Sequence, residues 1–253
     1  MNSILKNLLL LAAFLALSCA FFHLALDNGF WHRDDFAYLG HNLRMTTGKE
    51  ALFDSDPPYK FQPLVYGLSY TLFHEFGFEP RGYFIFNILL HGLNSFLVYI
   101  LVWTLLRERA ISIVSAVLFA FTVGSYGKAI MIASGLEDLV ITALTLFTMV
   151  FYFKNELDGK GKMLSPWFVL AFIFFVGSMF TRSTSLAILG AFLAFNFFFR
   201  HDTNRRVLGR NFVILLAVAV AAVRVNSLVF NYRPPFYSTR SPGAREGAVG
   251  TIS

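Results

Sequence analysis

The 21 Lys and Arg and 15 Asp and Glu of this chain are not spread along it. Seven apolar runs, 7–26, 82–106, 110–127, 129–153, 163–181, 183–199 and 211–230, contain only Glu137, Asp138 and Arg224 of them, and the remaining charges crowd into the segments between. A helix rises about 1.5 Å per residue, so about 20 residues cross a hydrocarbon core of about 30 Å. Each run has that length or nearly so, and none alternates apolar with polar residues as a barrel strand would. Hydrophobic residues make up 56% of the chain and charged ones 14%, against about 25% charged in a soluble domain. The chain therefore reads as an all-α polytopic membrane protein of about seven transmembrane helices. A soluble globule, a coiled coil and a disordered chain are excluded by the same distribution.

The first run follows Lys6 and continues past Cys19 through Ala20-Phe21-Phe22, which predicts an uncleaved anchor rather than a lipoprotein signal. Cys19 is the only cysteine, so neither an intrachain disulfide nor a cysteine-rich metal site can form. Orientation follows from the cations. Arg107 and Arg109, then Lys154, Lys160 and Lys162, then Arg200, Arg205, Arg206 and Arg210 occupy alternate connections, whereas the intervening short ones hold only Lys128 and Arg182. The positive-inside rule then places the N-terminus in the cytoplasm and the large first loop, 27–81, outside, as expected for a bacterial inner-membrane protein.

Within that loop, 63–76 is apolar but too short to span; opened by Pro63 and closed by Gly77 and Pro80, it predicts a short interfacial or re-entrant helix. Residues 1–230 form one transmembrane domain. Residues 231–253 lack an apolar period and carry Arg233-Pro234-Pro235 and Ser241-Pro242-Gly243, so a flexible extracytoplasmic tail is expected. Topology accounts for the basic connections, so the net charge of +6 points to no nucleic acid, and the lipid bilayer is the first partner.

Charges outside the basic connections are the candidates for chemistry. Phe30-Trp31-His32-Arg33-Asp34-Asp35-Phe36-Ala37-Tyr38-Leu39 sets two adjacent carboxylates shortly after the first run, with Trp31, Phe36 and Tyr38 suited to the membrane boundary. The Asp pair is either an acidic turn or helix N-cap, or a general base or metal ligand beside Arg33. Asn87, His91 and Asn94, four and then three residues apart, share a helical face and either join helices or line a pocket. Glu137 and Asp138 are placed by the run 129–153 about 12 Å below its outer end, at about 1.5 Å per residue. Arg224 is their expected ion-pair partner, unless they open to an outer cavity. Lys128 and Arg182 either snorkel or bind an anion such as a lipid phosphate. The chain has no nucleotide-binding glycine loop, metalloprotease His pair or nucleophile elbow.

Taken in order, Asp34-Asp35, Phe61-Gln62-Pro63-Leu64, Phe86-Asn87-Ile88-Leu89-Leu90-His91-Gly92-Leu93-Asn94 and Ile132-Ala133-Ser134-Gly135-Leu136-Glu137-Asp138-Leu139 resemble the integral-membrane glycosyltransferases of the C superfold. The nearest branches are the protein O-mannosyltransferase-like and aminoarabinose-transferase-like ones, and the resemblance covers residues 30–199. It implies transfer of a hexosyl or pentosyl group from a polyprenyl-phosphate donor to a lipid, glycan or protein acceptor on the outer face, a reaction of the cell envelope. By the same resemblance Asp34 or Asp35 acts as general base or holds a divalent cation, with Asp34 slightly favoured. Lys128, Arg182 and Arg33 would stabilise the departing phosphate, and His91, Asn94, Glu137 and Asp138 would contribute to substrate binding. Family members continue through further spans, so the chain reads as a short or truncated member or one that works with a partner subunit. A second reading, of a different class, is a non-catalytic membrane subunit or small transporter using Glu137, Asp138 and Arg224.

Overall fold

The computed structural model describes residues 3–48, 62–158, 165–199 and 205–231, and these form helices without a strand among them. Residues 232–253 of the expected tail lie outside the described residues, as do 49–61 of the first loop and 159–164 and 200–204 of the basic connections, while residue 231 ends the last helix. Helix α1 (Ser3–Phe22) continues into a 3-10 turn at His23–Asp27. Two short helices follow, α2 (Arg33–Thr46) and α3 (Pro63–Phe76), and then α4 (Pro80–Leu106). The remainder comprises α5 (Arg109–Ala120), α6 (Val123–Met131), a 3-10 turn at Ala133–Gly135, α7 (Leu136–Leu157), α8 (Pro166–Met179), α9 (Ala187–Phe199) and α10 (Arg205–Asn231).

Proline opens α3, α4 and α8 in their first turn, where its missing N–H removes no hydrogen bond. Gly77 closes α3 at φ 55°, a conformation that favours glycine. Three stretches are long and apolar enough to cross a membrane: Ile4–Asp27, Pro80–Leu106 and Ala133–Leu157. Shorter apolar helices, Arg109–Ala120, Pro166–Met179 and Asn211–Val225, accompany them. Large apolar side chains such as Ile4, Leu8, Leu118, Ile173, Phe197 and Val213 face outward, while Ser18, Asn87, His91, Asn94 and Thr148 are buried. That arrangement suits a solvent as apolar as the core itself, where polar side chains join helices.

Helix α4 packs against α1, α5 and α7, and α7 packs in turn against α8. Gly92 brings the backbone of α1 close, since a Cβ there would lie 3.0 Å from the Leu15 Cα. The buried stripe on α4 bonds outward to its neighbours. Asn87 Nδ2 donates to the Ile132 carbonyl at 3.0 Å, His91 Nε2 to that of Ala120 at 3.1 Å and Asn94 Nδ2 to that of Leu139 at 3.0 Å. Further along, Tyr152 stacks on Phe192 with ring centroids 3.8 Å apart inside a cluster that holds α7, α8, α9 and α10 together. A separate cluster of Leu39, Leu72, Tyr83, Ala133, Leu136 and Val140 seats α2 and α3 on α4 and α7.

Two expectations change here. The run 110–127 is not one helix, because α5 stops at Ala120 and α6 crosses the expected boundary through Lys128. The run 129–153 is broken too: Ile132 is extended at φ −124°, ψ 141°, and α7 starts only at Leu136. Apolar character continues through both breaks, so hydropathy hides them. The broken backbone is satisfied from outside, with Asn87 Nδ2 near the carbonyls of Ala129, Ile132 and Ala133. A Cβ on Gly135 would overlap the Ala129 carbonyl, so the turn requires glycine. Glu137 and Asp138 consequently lie in the first turn of α7, not deep within a helix, and its unpaired N–H groups favour negative charge there.

Candidate functional site

The acidic pair begins a helix that hydropathy does not reveal. His32 is the N-cap of α2; its Nδ1 accepts the Asp34 N–H at 3.3 Å, and Asp35 Oδ2 accepts the His32 N–H at 3.1 Å. Asp35 Oδ1 accepts the Ser134 N–H at 2.7 Å, in the turn before α7. Both oxygens of Asp35 are thus occupied by backbone donors, and the residue is only 1% exposed. Asp34, one position earlier, points the other way with its side chain 62% exposed. The helix-cap reading therefore describes Asp35, while the Asp34 carboxylate is open to solvent, with its Oδ2 3.6 Å from His32 Nδ1.

The first loop is pinned at the same break by two further bonds. Asn28 Nδ2 and Trp31 Nε1 donate to the Met131 carbonyl at 3.3 and 3.0 Å. Four groups from distant parts of the chain, Asn28, Trp31, Asp35 and Asn87, therefore hold the segment between α6 and α7.

Glu137 is the buried centre of a second network. Gln62 Nε2, at the N-cap of α3, donates to Glu137 Oε1 at 2.7 Å, and the Tyr38 hydroxyl donates to Oε2 at 3.2 Å. Arg182 places its Nε 3.5 Å from Glu137 Oε1 and its Nη1 2.6 Å from Asp138 Oδ1. The expected partner of these carboxylates, Arg224, is instead exposed on α10. Arg182 prevails because it follows α8 at the end where α7 begins. The hydroxyl of Tyr38 is held protonated well above the ordinary tyrosine range, first by burial and then by the negative charge of Glu137.

These elements enclose an open cavity of about 430 Å³. Its wall includes Arg33, Asp34, Tyr38, His41, Tyr66, Lys128, Glu137, Asp138 and Arg182, so most of the candidates from the sequence converge there. Arg33 and Lys128 are exposed and pair with no carboxylate among the described residues, whereas Arg182 is engaged by two. His91 and Asn94 do not line the cavity; buried contacts to α5 and α7 take them up. Asp35 lies behind the wall.

Sequence reasoning did not single out His41 and Tyr66, whose rings lie 4.5 Å apart, or a bonding role for Gln62. Asp34, Tyr38 and His41 have helical spacing, which becomes a signal once α2 is recognised as a helix. A divalent cation finds no ready cage: among the described residues no three His, Cys, Asp or Glu side chains converge, and Asp35 is fully engaged.

The opposite end of the bundle is different in character. Arg107 Nη2 lies 3.0 Å from Asp158 Oδ1, and Lys154 Nζ sits 3.8 Å from the centre of the Trp167 ring. Residues of two basic connections meet there, away from the cavity. Comparison with family models, curated proteins and solved structures returns no match.

Proposed function

We propose that this protein is an integral-membrane glycosyltransferase of the C-superfold type, transferring a sugar from a polyprenyl-phosphate donor to an acceptor hydroxyl at the outer membrane face. The observation that carries the reading is the cavity that brings the exposed carboxylate of the acidic pair, Asp34, beside Arg33 and Lys128, two cations that pair with no carboxylate among the described residues. In this scheme α1, α4, α5, α7, α8, α9 and α10 supply seven crossings, and α6 folds back at the outer end. The N-terminus is then cytoplasmic and the cavity extracytoplasmic, as the distribution of Lys and Arg requires.

The chemistry assigned to the site is a single displacement. Asp34 accepts the proton of the acceptor hydroxyl as its oxygen attacks the anomeric carbon, and the bond from that carbon to the phosphate oxygen breaks with its electron pair leaving on phosphate. Arg33 and Lys128 face the developing negative charge, with Arg182 held in the same wall by Glu137 and Asp138. Loss of a general base lowers a rate by about 10²–10⁴-fold. Asp34→Asn should therefore reduce transfer from a radiolabelled polyprenyl-phosphate sugar in isolated membranes by that factor while leaving membrane insertion intact. Full transfer by the variant would overturn the assignment.

A further inference from the structure

We propose that a narrow second cavity, between α2, α3 and the turn before α7, binds a single structural water that joins these elements through Asn42, Ser69 and Ser134. The inference rests on hydrogen-bond geometry and not on the transfer reaction.

The first observation is a pair of buried polar atoms that the local bonding leaves over. Asn42 Nδ2 donates to Ser69 Oγ at 2.9 Å and to the Ser69 carbonyl at 3.3 Å. A carbonyl only accepts, so it fixes which way the Asn42 amide lies and turns Oδ1 away from Ser69. That Oδ1 is buried and meets no donor among the described residues. Ser134 stands likewise: its N–H goes to Asp35 Oδ1 at 2.7 Å, while its Oγ is buried without a hydrogen-bond partner among the described residues. Leaving such groups unsatisfied is costly.

The second observation is that both residues line one cavity of about 10 Å³, about the room that one water requires. Ser69 lines it too, and its hydroxyl, whose oxygen accepts from Asn42, keeps a proton to give. The Tyr83 hydroxyl in the same wall is spent on the Gly77 carbonyl at 2.8 Å. One water then donates to Asn42 Oδ1, accepts from the Ser69 hydroxyl and bonds to Ser134 Oγ. Three bonds are the usual number for a buried water. A cation is served less well, because hard cations gather six or more oxygens and both Asp35 oxygens already face backbone donors. Tyr38 and Ser134 line this cavity and the open one alike, so water enters between them. The water thus braces the back of the helix that presents Asp34 at its front.

The test is radiolytic labelling of the full chain in phosphatidylcholine nanodiscs, with side-chain oxidation read by mass spectrometry. Hydroxyl radicals formed from a bound water attack the residues around it, however buried they are. Tyr83 and Leu39, buried in the cavity wall, should be oxidised several times faster than Tyr99 and Leu97, which are likewise buried and line neither cavity. Asn42→Leu fills the space and should remove that excess; Ser134→Ala keeps the N–H to Asp35, loses the hydroxyl and should lower it. Equal rates in wild type would overturn the proposal, and that comparison requires neither variant to fold. Excess oxidation unchanged in both variants would overturn it as well, because bulk water would then be reaching the wall. A rate that drops when sodium chloride replaces choline chloride would give the site to a cation instead.

Discussion

At the scale of single residues, the most instructive contrast is between Asp34 and Asp35, neighbours with opposite fates. Asp35 receives two backbone N–H groups and almost no water, so Asp35→Asn would leave one of those donors facing an amide NH2. An unsatisfied buried donor costs about 1–3 kcal/mol. We expect Asp35→Asn to lower stability by that amount and to accelerate hydrogen exchange at the Ser134 amide, while Asp34→Asn leaves both unchanged. Tyr38 yields a second expectation. Its ionisation is pushed up in the folded state, so its contribution is complete below the ordinary tyrosine value of about 10 and is lost only as pH rises through the higher folded value. Spectroscopic titration of wild type against Tyr38→Phe should show the missing phenol ionising later than an ordinary tyrosine. An ordinary value would mean that the bond to Glu137 does not persist.

Elements tell a different story, because their identity and their limits are not equally legible. The length and apolar character of α1 and α4 and the bounds of α3 could be read from apolar runs and from Pro63, Gly77 and Pro80, since those residues act locally. Helix α2 escaped because its pattern is mostly polar and its stability comes from the His32–Asp35 cap and from burial against α3 and α7. The break before α7 escaped because Ile132 and Ala133 are as apolar as their neighbours, and Asn87, which satisfies it, lies on another helix. Much of the site was legible for the opposite reason: charges in an apolar chain are conspicuous, so Lys128, Glu137, Asp138 and Arg182 stood out. Their pairing did not, and Arg182 replaced Arg224. Gly135 sets the geometry of that break, so Gly135→Ala should destabilise at or beyond the upper end of the roughly 1–3 kcal/mol typical of overpacking, since its clash is with backbone. Measured thermal stability equal to wild type would show that the turn relaxes freely.

For the molecule as a whole, charge divides the bundle into two ends. Arg107, Lys154 and Asp158 gather at one, and the cavity with Arg33, Lys128 and Arg182 occupies the other. In a Cys19→Ser background, Lys128→Cys should react with a membrane-impermeant maleimide on intact cells, and Asp158→Cys only after permeabilisation. Equal reactivity of the two from one side would refute the proposed orientation.

The clasp that Asn28, Trp31 and Asp35 make on the segment between α6 and α7 also has a temporal meaning. Its partners stand 103, 100 and 99 residues apart in the chain. Synthesis proceeds at about 5–20 residues per second, so the N-terminal loop waits roughly 5–20 seconds in an unlatched state before Met131 and Ser134 arrive. During that interval the loop and its Asp pair belong to a nascent chain with no cavity. Assembly of the site is therefore a late event of biogenesis, and a ribosome-stalled chain ending before α7 should present Asp34 without its counterpart wall.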